Sequence, residues 1–191
     1  MHEFSILKAL NCKINPPRSS IVKEVLWNPP ILHWVKANCD GADASSATSC
    51  GGIFRNSNGQ FLGCFAERLN AGNSIIAKLC GIMRALELAK QRNYTHLWLE
   101  TDSRIAVLAF KSTDIVPWQI RNRWFNCLDY TSSISFIVSH VYREGNVCAD
   151  RLSNISLSLN SFQYLYILPR EVREAYVQNR LGLPSFRITS V

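Results

Sequence analysis

Alternating apolar and polar residues over the first half of the chain predict β-strands. Three such runs occur, at 33–39, 50–56 and 60–67. Asp40-Gly41 is expected to end the first strand, and the small polar residues 42–49 predict a loop after it. Between the second and third runs, Asn58-Gly59 predicts a hairpin turn, because this pair tolerates positive φ. We therefore expect a set of antiparallel strands in this part of the chain.

After residue 67, the spacing of the apolar residues changes from that of a strand to that of a helix. Asn73 or Ser74 can cap a helix that runs to about Asn93. Beyond it, strands are expected at 95–100 and 134–142, and helices at 104–111, 118–130 and 146–159. Three antiparallel strands followed by alternating helices and strands indicate an α/β fold, built as a mixed five-stranded sheet with helices packed on it.

Proline pairs suggest where the domain begins. Pro16-Pro17 and Pro29-Pro30 interrupt regular structure, so an extended linker is expected before the first strand of the sheet. A weak helix is predicted at 169–176, close to the other end of the chain. The predicted organisation is a lead-in at 1–32, one domain at 33–159 and a tail with a short helix at 160–191.

Composition excludes several classes of protein. The chain has 191 residues, of which 47% are hydrophobic and 18% charged, as in a globular domain. No apolar run approaches the roughly 18–20 residues of a membrane span, and residues 1–10 do not resemble a secretory signal. We therefore expect an intracellular protein, nuclear or cytoplasmic, with no membrane contact. The net charge of +7 permits binding to nucleic acid without demonstrating it.

The seven cysteines suit neither a zinc cluster nor a set of disulfides. Their number is odd, and no Cys-x-x-Cys pair occurs. We expect reduced thiols that mostly act as small core residues.

Three aspartates stand near the ends of predicted elements, where they could form a cation site. Asp40 ends the first strand, Asp102 follows the fourth, and Asp150 lies in the first turn of the last helix. Clustered carboxylates repel each other unless they share a cation, and such oxygen ligands suit Mg²⁺ or Mn²⁺. Each aspartate also has an ordinary explanation, as a turn residue, a helix cap or a partner of a helix dipole.

Four segments, in the same order along the chain, resemble ribonuclease H. They are Trp34–Ala42, Gly51–Arg55 with the Gly59 turn, Glu100–Ser103 and His140–Leu152. The likeness is greatest to plant ribonuclease H-like domains that occur alone or beside reverse-transcriptase relatives of retroelements. It covers about 34–158, with weaker likeness at 25–30 and 182–184. The resemblance implies the family's mixed five-stranded sheet with helices on both faces.

The resemblance also implies a reaction, which is endonucleolytic cleavage of the RNA strand of an RNA–DNA hybrid. Family members use four carboxylates and two Mg²⁺ ions, and Mn²⁺ is a possible substitute. Asp40 would bridge both ions, Asp102 would hold the ion at the leaving group, and Asp150 would hold the ion that activates water. His140 matches the mobile histidine that assists proton transfer or product release. If the resemblance is set aside, His140 has an ordinary explanation, as a histidine in a strand whose ring forms a hydrogen bond with a neighbouring group.

One position departs from the family pattern. The fourth carboxylate should follow Ala77, but the chain has Lys78 there. An ammonium cannot ligate a cation, and we expect it to pair with Asp40 or Asp102 and to lower the local demand for a second Mg²⁺. A single bound ion is therefore one alternative to the family's two. Neither Glu87 nor Glu100 is expected to replace the missing ligand.

Three functions are consistent with this sequence. The chain is a ribonuclease H impaired by Lys78, an inactive module that binds RNA or an RNA–DNA hybrid, or a purely structural domain. A monomer is expected, either free-standing or as part of a larger retroelement-type protein. The candidate substrate contacts are Gly51, Gly52, Asn73, Arg143 and Asn146, each of which also fits an ordinary packing or surface role. Trp118 and Trp124 could stack on a nucleic-acid strand, but burial in the core is the stronger expectation.

Overall fold

The computed structural model describes residues 10, 20–44, 47–70 and 72–190. Its strands are β1 (Ser20–Val25), β2 (Val35–Ala44), β3 (Ala47–Arg55), β4 (Phe61–Leu69), β5 (His96–Thr101), β6 (Ser135–His140), β7 (Gln163–Leu165) and β8 (Ser185–Ser190). Its α-helices are α1 (Ser74–Gln91), α2 (Arg104–Ala109), α3 (Arg121–Ser132), α4 (Val147–Ser156) and α5 (Arg170–Arg180). Short 3₁₀ turns precede α3 and α4.

Six strands form the central sheet, in the order β6-β5-β2-β3-β4-β7. The neighbouring strands β2, β3 and β4 are antiparallel, whereas β5 pairs in parallel with both β2 and β6. The predicted mixed α/β sheet is confirmed, and the three-residue strand β7 extends it at the β4 edge.

Helices cover both faces of this sheet. On one face α1 and α3 enclose a core that includes Leu86, Leu97 and Trp124. On the other face α4 and α5 close a smaller core around Leu152 and Val172. Removing a side chain from such a core typically costs about 2–5 kcal/mol, so the two cores hold the helices firmly on the strands.

The long helix α1 begins at the predicted cap. The Asn73 side chain accepts a hydrogen bond from the backbone N–H of Ile76 at 3.0 Å. Because the first N–H groups of a helix lack backbone partners, this bond fixes where α1 starts. The chain leaves the helix through Asn93, whose φ of 55° is left-handed.

Strand β2 runs further than its sequence suggested. Asp40-Gly41 was expected to end the strand, but pairing with β3 continues until Ala44 faces Ala47. Small residues on both strands allow the ladder to continue, so most of the predicted loop is strand. Asp40 therefore lies within a strand, and residues 45–46 lie outside the described part. The predicted turn at Asn58-Gly59 is confirmed, with φ of 67° at Gly59.

The lead-in and the tail are paired with each other. β1 and β8 form a separate antiparallel ribbon of two strands. Next to this ribbon, Trp27 packs its ring 3.6 Å from the guanidinium of Arg55 and donates a hydrogen bond to Asn38 at 3.0 Å. The segment 20–30 was expected to be a linker, but it is held to the domain by these long-range contacts. Pro16-Pro17 lies outside the described residues.

Six cysteines lie in the described part of the chain, and all six are free and buried, as expected. Cys12 lies outside the described residues. Within the described ranges, none of the helices combines the length and the apolar content needed to cross a membrane.

Candidate functional site

Parallel pairing of β2 with β5 brings two of the predicted aspartates together. Cys39 is aligned with Thr101, so Asp40 and Asp102 stand side by side one residue further on. Asp40 is buried, with only 3% of the residue exposed, and its Oδ1 accepts the N–H of Gly41 at 2.8 Å. The expected convergence of these two carboxylates is present.

Lys78 lies between the two carboxylates. Its Nζ donates to Oδ1 of Asp40 and to Oδ1 of Asp102, each at 2.5 Å. Pairing with one of the two aspartates was expected, and the ammonium in fact bridges both. Since both oxygens contact the same nitrogen, Lys78 is the shared counterion of the pair.

Burial and charge act against each other at these groups. Burial raises the pKa of Asp40 to about 6, and it outweighs the opposing effect of Lys78. For Lys78, burial acts to lower the pKa, but the charge of Asp40 and the hydrogen bonds to both carboxylates together raise it. The lysine is therefore held in its charged form.

Two glycines allow this contact. Gly41 was expected as a turn residue, and Gly81 was not singled out in the sequence. A Cβ at Gly41 would overlap the backbone of Ala77 and Lys78, and a Cβ at Gly81 would lie 2.8 Å from the carbonyl oxygen of Asp40. Only the absence of side chains lets α1 approach β2 so closely. The sequence does contain a signal for Gly81, because it lies inside a predicted helix. Glycine destabilises a helix, so its presence there indicates that another backbone packs closely against that position.

Asp150 lines the same space from α4. Its carboxylate accepts hydrogen bonds from Arg143 at 2.8 Å and from Asn154 at 3.4 Å. A cavity of about 340 Å³ is lined by all three predicted aspartates together with Asp43, Lys78 and Arg143. The three carboxylates thus converge on one cavity, each of them already paired with a protein cation.

These residues do not fit a two-ion centre as they stand. In the ranges that the structure describes, no group of three or more His, Cys, Asp or Glu side chains is arranged to hold a metal ion. Lys78 takes the position between Asp40 and Asp102 that a shared cation would need. A divalent ion there would meet an ammonium at close range, which is strongly repulsive.

His140 lies beside this cavity. Its Nε2 is 3.1 Å from the backbone oxygen of Asp102, and because a carbonyl can only accept, Nε2 is the donor. The ring also meets Tyr142 edge-on, with centroids 5.7 Å apart. His140 is thus a strand histidine satisfied by a neighbour, which is one of the two roles the sequence allowed, and its catalytic role stays a prediction.

The two glycines expected to contact substrate are buried. A Cβ at Gly51 would lie 2.6 Å from the backbone nitrogen of Ser153 in α4, and a Cβ at Gly52 would lie 2.5 Å from the ring of Phe65. The structure therefore gives both a packing role in place of the expected contact with nucleic acid.

The polar residues that were expected to contact substrate differ in their exposure to solvent. Asn73 is used as the cap of α1. Asn146 is buried, where it donates to the Cys39 carbonyl at 3.0 Å and accepts from Asn38 at 3.2 Å. Arg143 keeps 69% of its side chain exposed and is the candidate best placed to meet a ligand. Asn146 instead positions the start of α4, the helix that carries Asp150.

A buried polar network under the site was also missed by sequence reading. Lys36 is completely buried and bonds to Glu100 at 2.9 Å, and the amide of Asn38 bonds to the same carboxylate. Burial lowers the pKa of Lys36, although Glu100 opposes this effect. Glu100 is therefore committed to this network and does not replace the missing ligand, as expected.

The expectation for Glu87 was met, and the expectation of burial was met for Trp124 but was wrong for Trp118. Glu87 pairs with Arg84 and Arg123, away from the aspartates. Trp124 is fully buried in the core, whereas Trp118 is 78% exposed.

The fold and the arrangement of the three aspartates define a ribonuclease H-like α/β domain. Residues 38–156 match the family described as reverse transcriptase-like, and the chain belongs to this family. A protein of Arabidopsis thaliana provisionally named a ribonuclease H protein is 29% identical over an alignment of 174 residues, which covers 88% of this chain and 28% of that protein. The chain thus spans little more than a quarter of this relative.

Solved structures show the same fold. RNase H1 of the archaeon Halobacterium salinarum has a TM-score of 0.57 at 21% identity, covering 65% of this chain and 97% of the other. LC11-RNase H1, isolated from compost, was solved in complex with an RNA/DNA hybrid. It has a TM-score of 0.58 at 15% identity, covering 64% of this chain and 96% of the other.

Proposed function

We propose that this ribonuclease H-like domain binds RNA–DNA hybrids or RNA, and that it hydrolyses the RNA strand poorly because of Lys78. The observation that carries the proposal is the Lys78 ammonium held 2.5 Å from both Asp40 and Asp102. The two-ion mechanism implied by the family requires these carboxylates for Mg²⁺ or Mn²⁺. Here a protein cation already neutralises them, so no more than one ion is expected.

The expected loss of cleavage rate is taken from catalytic sites in other enzymes that also act by stabilising charge. Removing one group that stabilises transition-state charge commonly lowers a rate by about 10²–10⁴. In this chain one ligand is lost and a positive charge is added in its place. Asp150 keeps its own partner, Arg143, so the remaining carboxylate is also engaged.

Binding is less affected by the same substitution. The cavity contains four carboxylates, and Lys78 and Arg143 offset two of those charges without any bound metal. A phosphodiester therefore meets less repulsion than it would beside unpaired carboxylates. The overall charge of +7 favours approach of a polyanion. An RNA–DNA hybrid is the first ligand to test, since LC11-RNase H1 holds one on the same fold.

A second candidate function is a binding module with no nuclease activity. It is favoured by the absence, within the described ranges, of any cluster of ligands fit for a metal. The two proposals share the same binding and differ only in residual cleavage.

Both are tested by measuring hybrid binding against salt concentration and hybrid cleavage in Mg²⁺ or Mn²⁺. We expect binding that weakens with salt, together with weak cleavage that Asp40→Asn abolishes. Binding without cleavage in either metal supports the second candidate. Robust cleavage by the wild type that disappears in Asp40→Asn contradicts the impairment. Absence of salt-dependent binding contradicts both candidates.

A further inference from the structure

A second cavity adjoins the candidate site. It has a volume of about 370 Å³ and shares Asp102 and Arg143 with the first cavity. Its remaining lining comes from Arg104, His140, Tyr142 and Arg187. A polymer that leaves the first cavity past Arg143 would enter the second, where basic side chains outnumber acidic ones.

Part of this cavity is supplied by the β1–β8 ribbon, which lies outside the central sheet. Lys23 of β1 donates to the hydroxyl of Tyr142 at 3.0 Å, with its Nζ 4.5 Å from the ring centroid. Arg187 of β8 places its guanidinium 5.0 Å from the same ring. Tyr142 therefore holds one cation from each strand of the ribbon.

The two ribbon cations are unfavourably placed for structure alone. Lys23 and Arg187 are directly opposite each other in the register of β1 and β8. Like charges at opposite positions destabilise a pair of strands. Arg187 has one acidic partner, Glu144, at 3.3 Å, whereas within the described part of the chain Lys23 and Arg104 form no ion pair. A bound anion would relieve this repulsion.

The positive charges around Tyr142 all change the pKa of its hydroxyl in the same sense. The hydrogen bond from Lys23 lowers the pKa of the Tyr142 hydroxyl, and the charges of Lys23, Arg104 and Arg187 act in the same sense. Three cations from separate elements thus face one point at the rim of the cavity. This geometry suits a phosphate group, which accepts charge-assisted hydrogen bonds from several donors at once.

We infer that Lys23, Arg104, Tyr142 and Arg187, here called the ribbon pocket, bind the phosphodiester backbone of a nucleic-acid strand that extends beyond the candidate site. The inference rests on the proposed function, because it places part of the same ligand. It assigns a purpose to the pairing of the lead-in with the tail, which is to bring Lys23 and Arg187 next to the sheet edge.

The test is the salt dependence of binding to an RNA–DNA hybrid. In the double variant Lys23→Gln/Arg187→Gln, two phosphate contacts are lost, so the slope of log affinity against log salt should become shallower by up to about 2 between about 50 and 200 mM salt. The control Lys90→Gln/Arg170→Gln removes the same charge from exposed positions on α1 and α5, and its slope should stay close to wild type. The charge-conserving exchange Lys23→Arg/Arg187→Lys should keep most of the affinity.

A change of hybrid length locates the contact. A hybrid just long enough to fill the first cavity should bind the wild type and the Lys23→Gln/Arg187→Gln variant equally. A hybrid extended at both ends should bind the variant more weakly. Thermal melting of each variant shows whether the ribbon still folds.

The outcomes separate this inference from the proposed function. If the wild type binds in a salt-dependent manner while both double variants show its slope, the ribbon pocket is overturned and the proposed function stands. Equal loss of affinity in both double variants also overturns it, since net charge then explains the effect. If the wild type binds no nucleic acid, the proposed function and the inference fall together.

Discussion

Lys78 Nζ and Asp102 Oδ1 are 2.5 Å apart in a setting where only 19% and 11% of the two side chains are exposed. The same nitrogen contacts Asp40, which is still more buried. A cation with two carboxylate partners at this depth balances their charge from within the protein. The consequences for metal binding and for stability can be measured separately.

Lys78→Glu should create the missing carboxylate and make the domain responsive to Mg²⁺. Three carboxylates would then face one another, so the variant should be less stable than wild type without metal and should gain melting temperature when Mg²⁺ is added. Hybrid cleavage should rise by about 10²–10⁴ over wild type. Lys90→Glu, on the same helix but exposed, is the control and should show neither effect. An intact Lys78→Glu variant that binds hybrid but neither cleaves it nor responds to Mg²⁺ would contradict the metal-site account.

Lys78→Met should destabilise the fold by up to about 3–5 kcal/mol, because it leaves two carboxylates buried without a counterion. Urea denaturation gives the change in the free energy of unfolding. The triple variant Lys78→Met/Asp40→Asn/Asp102→Asn removes the charges as well and should recover much of the loss. Equal stability of Lys78→Met and wild type would show that the bridge is not a structural counterion.

Gly41→Ala should cost about 3 kcal/mol or more, because the new methyl group would overlap the backbone of Ala77 and Lys78. Gly182→Ala is the matched control. No atom lies within 4 Å of its Cβ position, and only its φ of 66° is unfavourable, at about 1–2 kcal/mol. Denaturant melts of both variants test the ranking. Similar losses in the two would mean that α1 can shift away from β2.

Trp27→Ala should destabilise the domain by about 3–5 kcal/mol, although it lies before the first strand of the central sheet. The change removes the hydrogen bond to Asn38 and uncovers Arg55, which is buried. Trp118→Ala, at a residue 78% exposed, should change stability by less than about 0.5 kcal/mol. A negligible effect of Trp27→Ala would support the original expectation of a linker.

The buried cysteines should resist alkylation until the protein unfolds. Burial raises the pKa of Cys64 and of Cys127 to about 12, from an ordinary value of 9.0. At pH about 8.5 the unfolded chain should therefore label at least about ten times faster than the native one at these sites, because the thiolate is the reactive form. Mass spectrometry of labelled peptides gives the two rates, and fast native labelling of either residue would contradict its burial.

The same shifts predict how stability depends on pH. Because the folded pKa of these thiols is raised, the folded state holds their protons more tightly than the unfolded state does. Their contribution to stability is complete below pH 9 and is lost as the pH rises from 9 towards 12. Replacing Cys64 and Cys127 with alanine should make the alkaline loss of stability shallower in denaturant melts.

Local patterns in the sequence were sufficient to locate most strands of the sheet and most of the helices. The alternation at 33–39 and the cap at Asn73 are set by neighbouring residues, so they were visible without a fold. The end of β2 was predicted wrongly, because Asp40-Gly41 has the composition of a turn while its conformation is set by pairing with β3. Strand pairing depends on residues far apart in the chain, and composition does not report it.

The sequence by itself determined which chemical groups this domain possesses, including three aspartates and a lysine at the position of a fourth carboxylate. Only the tertiary structure decided what those groups do to one another. The close packing of α1 on β2 through Gly41 and Gly81 places the Lys78 ammonium between the buried carboxylate of Asp40 and the partly exposed carboxylate of Asp102. The physical reason is that Coulomb energy and the cost of burial depend on distances and exposure, which arise only when separate elements of the chain pack together.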